Sequence, residues 1–213
     1  MRVKDFLETK KGASFEILFF LIVAISMTSV FGSGLILYPL ALTSLGIRKI
    51  EWNQIGLIAK DFNFKKIGLG IGIAIIYHYA DLYFVDPIVS KYSNSSLPEI
   101  FSMKGDVTKL VIGLTLSWTT AAFLEEIVFR GYLINRFIDL IGDSIIAKMI
   151  IVLLTGITFG FVHSYQGISG AISAGFIGLL QAIVYFTFKN KLTIPIIAHG
   201  TYDTIGFTLL FMG

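Results

Sequence analysis

The residues of this sequence that could perform chemistry are ionisable side chains inside long apolar runs of its C-terminal half. They are Glu125, Glu126, Arg130, His163, His199 and Asp203. An ionisable side chain within a bilayer costs roughly 2.5–3.5 kcal/mol on insertion scales, so it indicates a functional site. Carboxylates and imidazoles together can take a proton from water and stabilise an oxyanion, which is the chemistry of hydrolysis.

The two glutamates have different surroundings along the predicted helix. Glu126 and Arg130 stand four residues apart, so they share one helix face in the order that favours an ion pair. Glu125 lies about 100° around the same helix and has no charged partner there. We therefore expect Arg130 to neutralise and hold Glu126, while Glu125 remains available as a general base.

Each candidate histidine stands one helical turn from another candidate residue. Phe159 and His163 share one helix face, and His199 and Asp203 share another. Taken singly, either histidine could equally be a buried, hydrogen-bonded packing residue. Together with Glu125 they come from three apolar helices, and a bundle of these helices could bring them to one polar cavity. The combination favours activation of a water molecule.

The whole composition is that of a membrane protein. Hydrophobic residues make up 55% of the 213 residues and charged residues only 15%, whereas soluble domains carry about 25% charged residues. The apolar runs are continuous, without the alternating polarity of barrel strands. We predict an all-α, polytopic helical membrane protein with about six to seven transmembrane or re-entrant helices. The absence of cysteine excludes a cysteine nucleophile, thiolate metal ligands and disulfides.

Seven apolar runs are the candidate helices. They are 15–31, 35–46, 67–85, 107–128, 145–163, 168–188 and 193–212. Gly32-Ser33-Gly34 is expected to break the first hydrophobic stretch. The run 35–46 is short and contains Pro39, so both a complete crossing and a re-entrant segment stay open.

The polar stretch 86–106 is predicted to be a loop. It separates an N-terminal transmembrane region, residues 1–106, from a catalytic helical core, residues 107–213, within one integral membrane domain.

If the runs around Glu125 and His163 were simple spans, these residues would lie at opposite membrane surfaces. We therefore expect the helix through Glu125 to continue to about residue 140, because a shared water requires a side-chain separation below about 8 Å.

The distribution of lysine and arginine predicts the orientation of the helices. If the N-terminus and the segment 47–66 face the cytoplasm, the outer side carries only Lys91, Lys104 and Lys109. We expect an integral protein of a bacterial-type plasma membrane with a cytoplasmic N-terminus.

The net charge is only +3, and the basic residues lie in short connections between apolar runs, so we expect no nucleic-acid partner. The expected partners are the lipid bilayer and a membrane-associated protein or peptide substrate.

Three motifs resemble the signatures of the CPBP family, the Abi or CAAX-protease and bacteriocin-processing family of intramembrane proteases. They are Glu125-Glu126-x-x-x-Arg130, Phe159-x-x-x-His163 and His199-x-x-x-Asp203. The neighbouring Gly131-Tyr132-Leu133 and Pro195-Ile196-Ile197-Ala198 are also similar to the family. The resemblance, which includes the type II CAAX prenyl endopeptidases, extends over about residues 107–211. The first 106 residues carry no family motif.

The resemblance implies a helical membrane endopeptidase that hydrolyses a peptide bond close to the membrane. By its motifs, Glu125 and His163 would activate the attacking water. His199 and Asp203 would hold the oxyanion. Glu126, together with its arginine partner, would order the site.

The residue at position 203 differs from the one that the family usually carries. Family members often carry asparagine where this chain has Asp203. An ionised aspartate cannot donate a hydrogen bond, so we expect Asp203 to orient His199 instead.

Family members have been described both as metalloproteases and as metal-independent glutamate proteases. We favour no cofactor, because neither histidine belongs to an HExxH helix; if zinc is present, His163, His199 and Glu125 would hold it.

Two other functions stay open. A non-catalytic membrane scaffold or binding protein could keep the same fold. A small proton- or ion-coupled transporter could use the buried acidic and histidine side chains as a relay, although the sequence has no inverted repeat to favour it. The sequence does not distinguish a prenylated C-terminal tail, a bacteriocin leader and a C-terminal sorting tail as substrates.

Overall fold

The computed structural model describes residues 2–27, 32–90 and 103–213. Within these ranges the chain forms eight helices and no strand, so the all-α prediction is confirmed. The helices are α1 (Val3–Leu7), α2 (Lys10–Ser26), α3 (Gly32–Arg48), α4 (Phe64–Val89), α5 (Val107–Ile141), α6 (Ile145–Val162), α7 (Gly167–Thr187) and α8 (Thr193–Met212).

Four of the described helices are long and apolar enough to cross a membrane. They are α4, α5, α6 and α7, the last together with the 3-10 turn that precedes it. Helix α8 has 20 residues, but the polar side chains of its first half lower its mean hydropathy. Helices α2 and α3 have 17 residues each, and about 25 Å of helix is shorter than a hydrocarbon core of about 30 Å. The chain is a polytopic helical membrane protein.

Short polar residues set the starts of several helices. The side chains of Thr9, Asn63, Asp106 and Ser144 each accept a hydrogen bond from the backbone N–H three residues later. Such caps satisfy one of the donors that a helix start leaves without a partner. At the turn between α5 and α6, Gly142 has a φ of 84°, a conformation that favours glycine. This tight turn reverses the chain and lays α6 back along α5.

Helix α5 is continuous through the predicted catalytic glutamates. It runs from Val107 to Ile141, so the predicted continuation to about residue 140 is confirmed and Glu125 lies near its middle. The segments Ser117–Glu125 and Ile127–Leu133 have π-helical hydrogen bonding. Single π-helical turns are rare in helices and frequently lie at functional sites.

The boundaries of two predicted breaks were wrong. Gly32-Ser33-Gly34 forms the first turn of α3 instead of an interruption, and Pro39 lies inside α3. Residues 86–89, predicted to begin the polar loop, form the last turn of α4. Residues 90 and 103–106 of that predicted loop are not helical, and residues 91–102 lie outside the described residues. The boundary at residue 106 stays a prediction, although α4 packs along α8 across it.

A buried aromatic and aliphatic core holds the helices around the glutamates. The rings of Phe20 on α2 and Phe129 on α5 meet edge to face at 5.5 Å, and Phe129 meets Phe159 on α6 at 4.9 Å. Each ring is almost completely buried. Edge-to-face pairs contribute about 0.5–1.5 kcal/mol beyond the burial of their area. This row of rings fixes α2, α5 and α6 relative to one another directly beside the polar residues.

Candidate active site

The structure brings all six predicted site residues into one cluster between three helices. Helix α5 carries the two glutamates and the arginine, His163 follows the last residue of α6, and α8 carries His199 and Asp203. The side chains of Glu126 and Arg130 are 0% and 1% exposed. The side chains of the other four are between 6% and 21% exposed. The cluster, which we name the chamber, is therefore largely enclosed by protein.

The ion pair predicted on α5, between Glu126 and Arg130, is present and is the most deeply buried part of the cluster. Arg130 donates from Nη1 to Glu126 Oε1 at 3.1 Å and from Nη2 to the carbonyl oxygen of Gly178 on α7 at 3.0 Å. Its guanidinium lies over the ring of Phe159, 4.9 Å from the ring centroid. Arg130 thus balances the charge of Glu126 and also connects α5 to α6 and α7.

Glu126 makes the direct hydrogen bond to His199. Nδ1 of His199 lies 2.8 Å from Glu126 Oε1. A carboxylate only accepts hydrogen bonds, so Nδ1 carries a hydrogen and Nε2 faces the chamber. Asp203 Oδ2 lies 3.8 Å from Nε2, beyond hydrogen-bond distance. The residue that orients His199 through a hydrogen bond is therefore Glu126, whereas the sequence predicted Asp203 for this part.

Asp203 is held from a different helix. Ser117 on α5 donates its hydroxyl to Asp203 Oδ2 at 2.7 Å. The indole N–H of the next residue, Trp118, donates to Thr204 Oγ1 at 3.1 Å. These two bonds join the π-helical part of α5 to α8 and fix the carboxylate of Asp203 near the imidazole of His199.

The spacing of Phe159 and His163 has a direct structural reason. His163 caps the C-terminus of α6, where its Nδ1 lies 2.8 Å from the carbonyl oxygen of Phe159. The last carbonyl groups of a helix have no partner within the helix, so the imidazole satisfies one of them. Since a carbonyl only accepts, Nδ1 carries the hydrogen, and in the neutral ring Nε2 is an acceptor.

Glu125 and His163 face each other across a gap that suits one water molecule. Nε2 of His163 lies 4.0 Å from Oε2 of Glu125, well within the predicted limit of about 8 Å. Both atoms are acceptors, and Glu125 Oε2 is buried with no other hydrogen-bond partner. A water about 2.8 Å from each would subtend an angle of about 90° and could donate one hydrogen to each. Its lone pairs would then point into the chamber.

Two residues in contact with the cluster were not predicted from the sequence. Tyr38 on α3 donates its hydroxyl to Glu125 Oε1 at 3.1 Å, and Ser117 binds Asp203 as described. The available signals were a tyrosine in a largely apolar helix and a serine eight residues before Glu125. Neither lies one turn from a motif residue, so helical spacing alone could not connect them to the site.

The zinc ion that the sequence leaves open would need His163, His199 and Glu125 as ligands. Among the described residues, no group of three or more histidine, cysteine, aspartate or glutamate side chains is arranged to hold a metal ion. Of the predicted ligands, His163 Nε2 and Glu125 Oε2 lie 4.0 Å apart, and His199 directs its Nδ1 to Glu126. Zinc at these three residues stays a prediction, and no chemical step is assigned to it.

Comparison with known proteins gives a family match over the segment that carries the site. No curated protein and no solved structure matches the chain. Residues 107–205, somewhat less than half of the chain, match the family model described as Type II CAAX prenyl endopeptidase Rce1-like. The matched segment contains every predicted site residue. The match confirms the resemblance predicted from the sequence: residues 107–205 are similar to the Rce1-like family of type II CAAX prenyl endopeptidases.

Proposed function

We propose that this protein is an intramembrane endopeptidase in which Glu125 and His163 activate a water molecule to hydrolyse a peptide bond. The observation that supports this proposal best is the 4.0 Å gap between Glu125 Oε2 and His163 Nε2. Two acceptors at that separation hold a water through its hydrogens and leave its oxygen free to attack. The family of residues 107–205 supports the general activity, a peptidase of the CAAX-protease type.

In the first step, the water oxygen attacks the carbonyl carbon of the substrate peptide bond. Glu125 takes one proton of the water as the new carbon–oxygen bond forms, and the carbonyl electron pair moves onto the carbonyl oxygen. The resulting oxyanion needs a hydrogen-bond donor in the enclosed chamber. His199 supplies it from Nε2 when its ring is protonated, because its Nδ1–H is already directed to Glu126.

In the second step, the carbon–nitrogen bond of the peptide breaks. Glu125 returns the proton to the leaving nitrogen, and the oxyanion electrons reform the carbonyl group. The products are a new carboxyl terminus and a new amino terminus, and Glu125 is again a carboxylate. The negative charge of Asp203, held by Ser117 at 3.8 Å from His199 Nε2, stabilises the protonated imidazole during these steps.

We infer that the substrate is a membrane-associated protein or peptide that is cleaved close to the membrane. The family name makes a prenylated tail ending in Cys-a-a-X the first probe, with a bacteriocin leader and a C-terminal sorting tail as alternatives. The excess of lysine and arginine in the loops of one side supports an orientation of the helices in which the N-terminus lies in the cytoplasm.

The experiment is a mass measurement on purified protein in lipid nanodiscs. Three peptides are incubated with the wild type, Glu125→Gln and the control Glu51→Gln. They are a farnesylated Cys-a-a-X peptide, a bacteriocin leader and a C-terminal sorting tail. Glu51 is exposed and lies outside the cluster. We expect the wild type and Glu51→Gln to release the same fragment, with loss of cleavage in Glu125→Gln. A metal chelator should leave the wild-type rate unchanged.

The possible outcomes separate the alternative functions. Normal cleavage by Glu125→Gln or by His163→Ala would refute the proposed mechanism. Binding of a substrate tail without any product would favour a membrane scaffold. Proton or ion flux through the protein in liposomes, lost in Glu125→Gln, would favour a transporter.

A further inference from the structure

One contact to the proposed base comes from the part of the chain that carries no family motif. Tyr38 lies on α3, outside the matched segment 107–205. Its hydroxyl donates to Oε1 of Glu125 at 3.1 Å, whereas Oε2 of the same carboxylate faces His163. The two oxygens of Glu125 therefore face different residues, and only Oε1 has a hydrogen-bond partner.

The tyrosine ring is held in place along its own helix. Side chains of a helix lean towards its N-terminus, so the ring of Tyr38 lies over the residue one turn earlier, Gly34. A methyl group at Gly34 would lie 3.3 Å from Cε2 and Cζ of the ring and 3.5 Å from its hydroxyl oxygen. Glycine at position 34 leaves the space in which the ring lies.

Helix α3 itself is fixed against α5. Leu37 and Ala41 on α3 are 1% and 0% exposed, and α3 packs on the segment Ile127–Leu133 of α5. Near the end of α3, Arg48 lies 3.6 Å from Asp139 of α5. The hydroxyl of Tyr38 therefore has a fixed position relative to Glu125.

A carboxylate that lacks a directional partner can rotate, because its last side-chain torsion is broad and roughly two-fold. We propose that Tyr38 is a positioning residue that binds Glu125 Oε1 and thereby directs Oε2 to the water shared with His163. This inference rests on the proposed role of Glu125 as the base. It extends the site to α3, so that the N-terminal half of the chain supplies one of its parts.

The test uses Tyr38→Phe, which removes the hydroxyl and keeps the ring. The matched control is Tyr185→Phe, because Tyr185 is a buried tyrosine that donates its hydroxyl to the carbonyl oxygen of Ile55, away from the site. The first readout needs no substrate. Infrared difference spectra between the wild type and Glu125→Gln identify the band of the Glu125 side chain. We expect this band to shift in Tyr38→Phe and to stay in place in Tyr185→Phe.

The second readout is the cleavage of the farnesylated Cys-a-a-X peptide. We expect Tyr38→Phe to lower kcat by about tenfold with KM changed less than twofold, since only the orientation of the base is lost. A second pair of variants lies on α3: Gly34→Ala crowds the ring, and Gly46→Ala adds a methyl group where nothing lies within 4 Å. We expect the first of these to reproduce the fall in kcat and the second to have no effect.

Each outcome bears on one of the two proposals. An unchanged Glu125 band in Tyr38→Phe overturns the positioning role, whatever the peptide assay gives. A wild-type kcat in Tyr38→Phe beside an inactive Glu125→Gln also overturns it and leaves the endopeptidase proposal standing. Normal cleavage by Glu125→Gln overturns the endopeptidase mechanism itself.

Discussion

Replacing Arg130 by methionine tests how the buried half of the site is held together. Arg130 is 1% exposed and contacts the carboxylate of Glu126, the carbonyl oxygen of Gly178 and the ring of Phe159. Methionine fills a similar volume but leaves the negative charge of Glu126 buried without its cation. Breaking a buried ion pair from one side costs about 3–5 kcal/mol, because the remaining charge is not compensated. We expect Arg130→Met to lower the free energy of unfolding by about this amount.

A double variant separates the uncompensated charge from simple loss of contacts. In Glu126→Gln with Arg130→Met, no buried charge remains at the pair, and the glutamine oxygen can still accept the hydrogen bond from His199. Replacing both partners of a buried pair is often close to neutral. We therefore expect the double variant to recover about 2 kcal/mol or more of the loss.

The assay is unfolding in mixed micelles with an increasing fraction of sodium dodecyl sulfate. Fluorescence of Trp118 reports the contact between α5 and α8 once the second tryptophan, Trp52, has been replaced by phenylalanine. The control is Arg2→Met, since the pair of Arg2 with Asp5 is largely exposed and such pairs contribute about 0–1 kcal/mol. A wild-type midpoint for Arg130→Met, or a double variant less stable than Arg130→Met, would refute the reasoning.

Three further predictions concern the other contacts of the site. His163→Ala should abolish cleavage, a loss of about 10²–10⁴-fold, while the amount of protein in the membrane fraction stays the same. Ser117→Ala removes the 2.7 Å hydrogen bond to Asp203; kcat should fall by about tenfold, measured against Thr119→Ser, whose hydroxyl can keep its bond within the helix. Gly200→Ala places a methyl group 2.6 Å from the indole of Trp118 and should cost about 1–3 kcal/mol, measured by the same micelle unfolding.

The sequence was sufficient for contacts that lie within one helix. The ion pair of Glu126 with Arg130 spans four residues, so the helical period predicts it. The same period places Phe159 and His163 on one face, although the contact that His163 makes is with the backbone carbonyl of Phe159. The continuation of α5 past residue 128 also followed from the sequence, because the two motifs could not otherwise meet.

Contacts between helices were beyond the reach of the sequence pattern. Tyr38 and Glu125 are 87 residues apart, and Ser117 and Asp203 are 86 apart. A helical period shows which residues share a face, but the partner of that face depends on how the helices pack. The same reason explains why the sequence pattern predicted Asp203 as the residue that orients His199. The hydrogen-bond partner of His199 is Glu126, which is 73 residues away along the chain. The four-residue spacing of His199 and Asp203 favoured a contact within one helix, whereas a partner on another helix leaves no such pattern in the sequence.

A second buried charged network explains why α3 can serve the site at all. Arg136 on α5, 1% exposed, donates to the carbonyl oxygen of Leu7 and pairs with Glu16 on α2 and with Asp139, each within 2.7 Å. Asp139 in turn lies near Arg48 at the end of α3. A charged side chain that is buried and contacts several helices permits few alternative arrangements, so Arg136 and its partners fix the register of α1, α2 and α3 against the C-terminal part of α5. The position of the Tyr38 hydroxyl beside Glu125 then follows from contacts more than one helical turn away. The segment with the motifs therefore relies on the helices before it for the geometry of its proposed base.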